Sequence, residues 1–247
     1  MRDPFPNHHG IDASAAPGPA PRWAAELASR IRAGFLRTVI STSALTGIFF
    51  IAYFFVQRHP AYPPMQMPLT ALDLLIPFQP AALLAYVSLW IYVGVGPGLQ
   101  RSFRDFAVCG LWLCALCVGG LAIFYFLPTQ VPPPVLSATR FPGFDMLRRV
   151  DQTSNACPSM HVAVAIFTAV RVEASLRSMR VPFTVRCLNF IWCLVIAYST
   201  LAIKQHVVLD VAAGALLGLS FAAMSLRWRP GSEREPGFAA LQVPPVH

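Results

Sequence analysis

Two histidines stand in company that suits nucleophilic and acid–base work. His206 and Asp210 are four residues apart, so on a helix they share a face and the carboxylate can accept one ring N–H. The other ring nitrogen is then free to attack. The same carboxylate would steady the positive charge that grows on the ring, as the acid of a Ser-His-Asp triad does. An interfacial histidine satisfied by an aspartate accounts for the pair equally well.

His161 closes the run Cys157-Pro158-Ser159-Met160-His161. Pro158 suits the first turn of a helix, because it lacks the N–H that would be unpaired there. The amides of Ser159 and its neighbours could then cradle a phosphate, with the helix dipole behind them. In that turn His161 is placed to protonate a departing oxygen, and an ordinary histidine pKa of about 6.5 fits the task at neutral pH. A packed histidine in a plain first turn explains the tetrapeptide as readily.

A third group surrounds His206: Ser199-Thr200 before it, then Lys204-Gln205. Lys204 is the single lysine of the chain and stands two residues from His206, where an anion would sit. Its long stem would also let it snorkel to a membrane surface. Ionisable residues at membrane depth are rare and usually face a protein interior or a watery cavity. Of the six cysteines, five fall in apolar runs and read as small hydrophobes, and Cys157, beside the second cluster, reads as a packing residue.

The elements that must position these groups are apolar. Of 247 residues 55% are hydrophobic and 12% charged, too apolar for an ordinary soluble domain. A membrane span needs about 20 mostly apolar residues. Four runs stand out, Thr38–Val56, Ala81–Val95, Phe106–Leu127 and Thr184–Ile203, and two more, Pro158–Val172 and His206–Leu226, begin with the polar clusters. The expectation is an all-α, six-span bundle with both termini cytoplasmic. That topology puts fourteen of the nineteen basic residues inside, as the positive-inside rule asks. It also accounts for the net charge of +8 without nucleic acid, since the basic residues are divided among loops.

The division expected is a disordered tail over 1–21, an interfacial amphipathic helix over 22–37, a catalytic membrane domain over 38–227, and a disordered tail over 228–247. Thr70 and Asp73 have capping-box spacing, so Asp73 reads as a cap. The long loop 128–157 is rich in proline and holds Arg140, Arg148 and Arg149 on the far side, near the two histidine clusters; loops of that length are often functional.

Together the clusters resemble the type 2 phosphatidic acid phosphatase superfamily of membrane lipid phosphatases and phosphotransferases. Its second motif, P-S-G-H, is similar to Pro158-Ser159-Met160-His161. Its third is S-R, five residues, H, three residues, D, against Ser199, Thr200, His206 and Asp210, with Val211-Ala212-Ala213-Gly214 continuing it. Thr200 replaces the family's arginine, and the first motif is not recognisable; Thr129-Gln130-Val131-Pro132-Pro133 is nearest by position. The Lys-Gln-His stretch looks closer to the inositol-phosphorylceramide and sphingomyelin synthase branch. The resemblance implies a six-helix bundle that uses no metal or cofactor. It implies His206 as nucleophile through a phosphohistidine, Asp210 as its orienter and His161 as acid. Phosphate contacts would come from Ser159 and Ser199, with Lys204, Arg140 and Arg148 replacing the missing charges.

The first expectation is therefore a lipid phosphatase in the cell membrane, such as a bacterial inner membrane, with its site facing the exterior or periplasm. Its substrate would be of the phosphatidate, phosphatidylglycerol phosphate or polyprenyl pyrophosphate type. A transferase passing a phosphoryl headgroup to a second lipid alcohol would use the same residues. A transporter fits less well, since its polar residues should gather near the midplane on broken helices. A zinc hydrolase could use His161, His206 and Asp210, but it leaves Ser159, Ser199 and Lys204 unexplained.

Overall fold

The computed structural model describes residues 21–132 and 155–228. Among these the helices are α1 (Arg22–Arg58), α2 (Ala71–Leu75), α3 (Leu83–Val87), α4 (Leu89–Gly98), α5 (Phe103–Phe126), α6 (Met160–Ser178), α7 (Phe183–Ala202) and α8 (Val208–Arg227). A 3-10 turn, Pro80–Ala82, leads into α3. Two short strands, β1 (Met65–Gln66) and β2 (Thr129–Gln130), pair in parallel. Asp73 behaves as its spacing predicts: it closes a capping box with Thr70 at the start of α2.

Five segments are long and apolar enough to cross a membrane: α1, Pro80–Gly98, α5, α7 and α8. The chain is an integral membrane protein, and large apolar side chains such as Ile51, Ile91, Leu111, Leu194 and Leu216 are exposed on its outside. The expected count was six. The segment that falls short is α6, which carries Arg171, Glu173 and Arg177. It is nonetheless the most enclosed helix described, packed against α4, α5, α7 and α8, with Val162, Ala163, Ala165, Phe167 and Ala169 all buried. A helix enclosed by its neighbours has no need of an apolar exterior, and its charged residues keep it below the apolarity of the other five. Meanwhile α1 runs without a break through residues 37 and 38, so the expected surface helix and first span share one helix.

Close packing of α8 on α6 follows from two glycines one turn apart. A Cβ on Gly214 would collide with the carbonyl oxygen of Ser159, and one on Gly218 with that of Ala163. Small residues at such spacing let membrane helices approach backbone to backbone. At the top of this contact the Ser159 amide donates to the Asp210 carbonyl at 2.9 Å. The first turns of α6 and α8 are thus joined.

Toward the other end of α6, polar groups tie helices together. Glu173 accepts from Arg177 Nε at 2.5 Å and from Arg186 Nη2 at 2.5 Å. Arg171 donates to Gln100 Oε1 at 3.0 Å and to the Ser225 carbonyl at 3.4 Å.

Candidate active site

The two polar clusters, 45 residues apart for the histidines, meet where α6 and α8 begin. Ser159 is the N-cap of α6: its backbone is extended and its hydroxyl accepts from Val162 N. Pro158 therefore stands just outside the cap rather than in the first turn, because serine is among the strongest N-caps and takes that position. The Ser159 amide is spent on Asp210, and that of Val162 on the cap at 3.4 Å. Among the described residues the first-turn amides of Met160 and His161 have no recorded partner.

His206 lies in the turn before α8, not on the helix, and its amide donates to the Thr200 carbonyl at 3.2 Å. Its Nδ1 is 3.5 Å from Asp210 Oδ2, an ion-pair distance rather than a close hydrogen bond. Asp210 is completely buried. Its Oδ2 also accepts the Val207 amide at 3.0 Å, while Oδ1 has no partner among the described residues. The His206 and His161 ring centres are 6.0 Å apart. His161 Nδ1 is 3.3 Å from the Tyr86 hydroxyl, the two rings stack at 4.1 Å, and Trp90 meets the imidazole edge-on at 5.9 Å. His161 Nε2 is buried without a partner among the described residues. Buried polar groups left so mark sites where a ligand or water is expected.

The remaining residues singled out from the sequence sit close by with their bonds directed elsewhere. Ser199 and Thr200 are buried in the last turns of α7, each hydroxyl donating to a carbonyl of its own helix, Ile196 at 2.6 Å and Ala197 at 2.8 Å. Lys204 has φ 58° and its Nζ donates to two carbonyls, Asp73 at 2.8 Å and Ile76 at 2.5 Å. One ammonium proton remains beyond those two bonds. Arg140, Arg148 and Arg149 lie outside the described residues. The Cys157 amide donates to Thr129 Oγ1 at 2.8 Å, which brings the stretch nearest the missing first motif against the start of the second. Burial first, and the Asp210 charge second, push the Cys157 thiol up to about 11. Protonated at neutral pH, it is a poor nucleophile. Among the described residues no three His, Cys, Asp or Glu side chains converge as a metal-ligand set.

Nothing in the residue pattern singles out Tyr86 and Trp90. Both look like ordinary aromatic residues of an apolar run, and their contacts with His161 cross 75 residues or nearly as many.

The site thus sets a histidine backed by a buried aspartate against a second histidine at a helix start. The family model of the PAP2 superfamily matches residues 106–234, from α5 through α8 and both histidine clusters. The chain belongs to the PAP2 superfamily. Its members are phosphoesterases and phosphotransferases, so the PAP2 assignment makes this an enzyme of phosphoryl transfer. No curated protein and no solved structure matches the chain. Tyr86, Trp90 and Asp73 all precede the PAP2 match.

Proposed function

We propose that the protein is a metal-independent phosphatase of membrane lipid phosphates that works through a phosphohistidine. His206 attacks phosphorus with Nε2, and Asp210, against Nδ1, orients the ring and balances its growing charge. The P–O bond to the lipid breaks as His161 gives its Nε2 proton to the departing oxygen. Tyr86 accepts from Nδ1 of the imidazolium, which fixes the ring with Nε2 toward the substrate. The incoming phosphate, being anionic, favours the charged imidazole that this step requires. Water then attacks the phosphohistidine, His161 takes its proton, and inorganic phosphate leaves.

The amides of Met160 and His161 at the start of α6 would hold the phosphate. The remaining proton of Lys204, together with Arg140 and Arg148, would add charge where Thr200 stands for the family's arginine. Ser159 and Ser199 then act mainly through the backbone they brace.

The observation that carries a lipid substrate is an apolar crevice that has His161 in its wall. Leu45 and Phe49 of α1, Leu89 and Val93 of α4, Leu113 of α5 and Val164 of α6 line it. A hydrocarbon chain suits such walls, and a soluble sugar or nucleotide phosphate does not.

The test compares leaving groups, because general acid catalysis matters most when the departing oxygen is a poor one. His161→Ala should lose about 10²–10⁴-fold on a phosphatidate and far less on p-nitrophenyl phosphate, where a slow second step leaves a burst of nitrophenol. Equal losses on both substrates, with no burst, would refute the division of roles. Following free phosphate beside new lipid products distinguishes water from an alcohol as acceptor. A lipid product without free phosphate would make the enzyme the transferase of the alternative reading.

A further inference from the structure

Asp73 does more than cap its own helix. The side chain is buried and divides its two oxygens between two elements. Oδ2 accepts the amide of Thr70 at 2.8 Å and its hydroxyl at 2.7 Å. Oδ1 accepts the amide of Val208 at 2.8 Å. Val208 is the first residue of α8 and follows His206 by two. A second tie runs alongside, since Lys204 Nζ binds the carbonyls of Asp73 and Ile76 from the other side of the same turn. The five-residue turn Lys204–Val208 is thus pinned at both ends to α2, with His206 between the pins. Helix α2 exposes Leu72, Leu74 and Leu75, so an apolar platform carries the anchor.

We propose that Asp73 is a positioning residue for His206: by holding the first amide of α8 it fixes the turn that aims the imidazole. This rests on the reading of His206 as the attacking group. A cap confined to α2 would require only Oδ2, whereas Oδ1 reaches 135 residues along the chain. A ring displaced by about 1 Å costs on the order of 10²-fold in rate while leaving substrate binding largely intact. The effect therefore belongs in kcat rather than KM.

Two substitutions remove the bond from opposite sides. Asp73→Asn takes away the charge and one acceptor arrangement. Val208→Pro removes the N–H and exchanges one small apolar side chain for another, at a first helical position where proline is well tolerated, and Val207 before it already has the extended backbone that proline demands. A third variant, Thr70→Ala, loosens the cap of α2 and keeps the bond to Val208.

The experiment uses the full chain in detergent, with p-nitrophenyl phosphate as substrate and ¹⁵N-histidine NMR as a readout independent of turnover; the His206 ring signals are identified by their loss in His206→Gln. In Asp73→Asn and Val208→Pro the His206 ring resonances should move, and kcat should fall at least about tenfold with KM within about twofold. Thr70→Ala should lower the melting temperature while leaving both the resonances and kcat near wild type. Unmoved His206 resonances in Val208→Pro overturn the proposal, and so do moved resonances with an unchanged kcat. If wild-type protein cleaves no phosphate ester, the phosphatase reading falls, and the resonances alone then decide whether Asp73 holds His206.

Discussion

Asp210 and Glu173 are both carboxylates buried in one helical bundle, one near each end of α6, and they are treated differently. Glu173 has two guanidinium partners, Arg177 and Arg186, at 2.5 Å. Among the described residues Asp210 faces an imidazole at 3.5 Å and one backbone amide, with Oδ1 left over. Burying a charge is costly unless it is paired and hydrogen-bonded. At Glu173 that cost is met by permanent cations and the residue ties α6 to α7. At Asp210 it is met less completely among the described residues, by one amide and an imidazole rather than a guanidinium. In the mechanism we propose, that incomplete pairing has a use, because the carboxylate would interact most strongly with a cationic His206 ring.

Breaking the Asp210 side of the comparison should cost most. Asp210→Asn keeps shape and removes charge, so turnover should fall about 10²–10⁴-fold by analogy with a triad acid, with the melting temperature little changed. Normal kcat in that variant would reduce Asp210 to a cap of α8. Gly214→Ala comes next. Its added methyl meets the Ser159 carbonyl, and separating α6 from α8 should lower both stability, by about 1–3 kcal/mol, and activity. Activity at the wild-type level would show that the joined helix starts do not set the site.

Glu173→Gln tests the other end. Its effect should appear in thermal unfolding, about 1–3 kcal/mol for the lost charged hydrogen bonds, while kcat stays near wild type. A rate loss as large as that of Asp210→Asn would erase the distinction drawn between the two carboxylates. The smallest effect belongs to Cys157. Cys157→Ser should turn over normally, and iodoacetamide should alkylate the native thiol slowly at pH 8, faster as pH rises toward 11. The thiol is raised partly by Asp210, so removing that charge lowers its pKa, increases the thiolate at a given pH and should speed alkylation in Asp210→Asn. Unchanged alkylation there would separate the two groups electrostatically.

The candidate chemistry was legible because it is written in residue types at short spacing. His206 and Asp210, four apart, and His161 just after a serine cap are local patterns. The helical membrane architecture was legible from apolar runs for the same reason. The supporting contacts were not: Tyr86 on His161 and Asp73 on Val208 join positions 75 and 135 residues apart, and no spacing rule reaches that far. Lys204 shows the other limit. Sequence position places it beside His206, but only the fold reveals that two of its donors go to α2. Helix α6 shows a further limit: an apolar run beginning at Pro158 marks it as a helix, but its enclosure by α4, α5, α7 and α8 is visible only in the fold.

The left-handed backbone at Lys204 has a consequence for how the site comes into being. That conformation is one that glycine usually fills after a helix end, and a lysine holds it here at an energetic cost. Its side chain anchors to carbonyls 131 and 128 residues earlier. The turn that presents His206 is therefore shaped against a template made in the first third of the chain. A fragment starting at residue 106, where the family match begins, would retain both histidines and Asp210. It would lack the surface against which the His206 turn is set, so such a fragment should fail to hold that turn in its present shape.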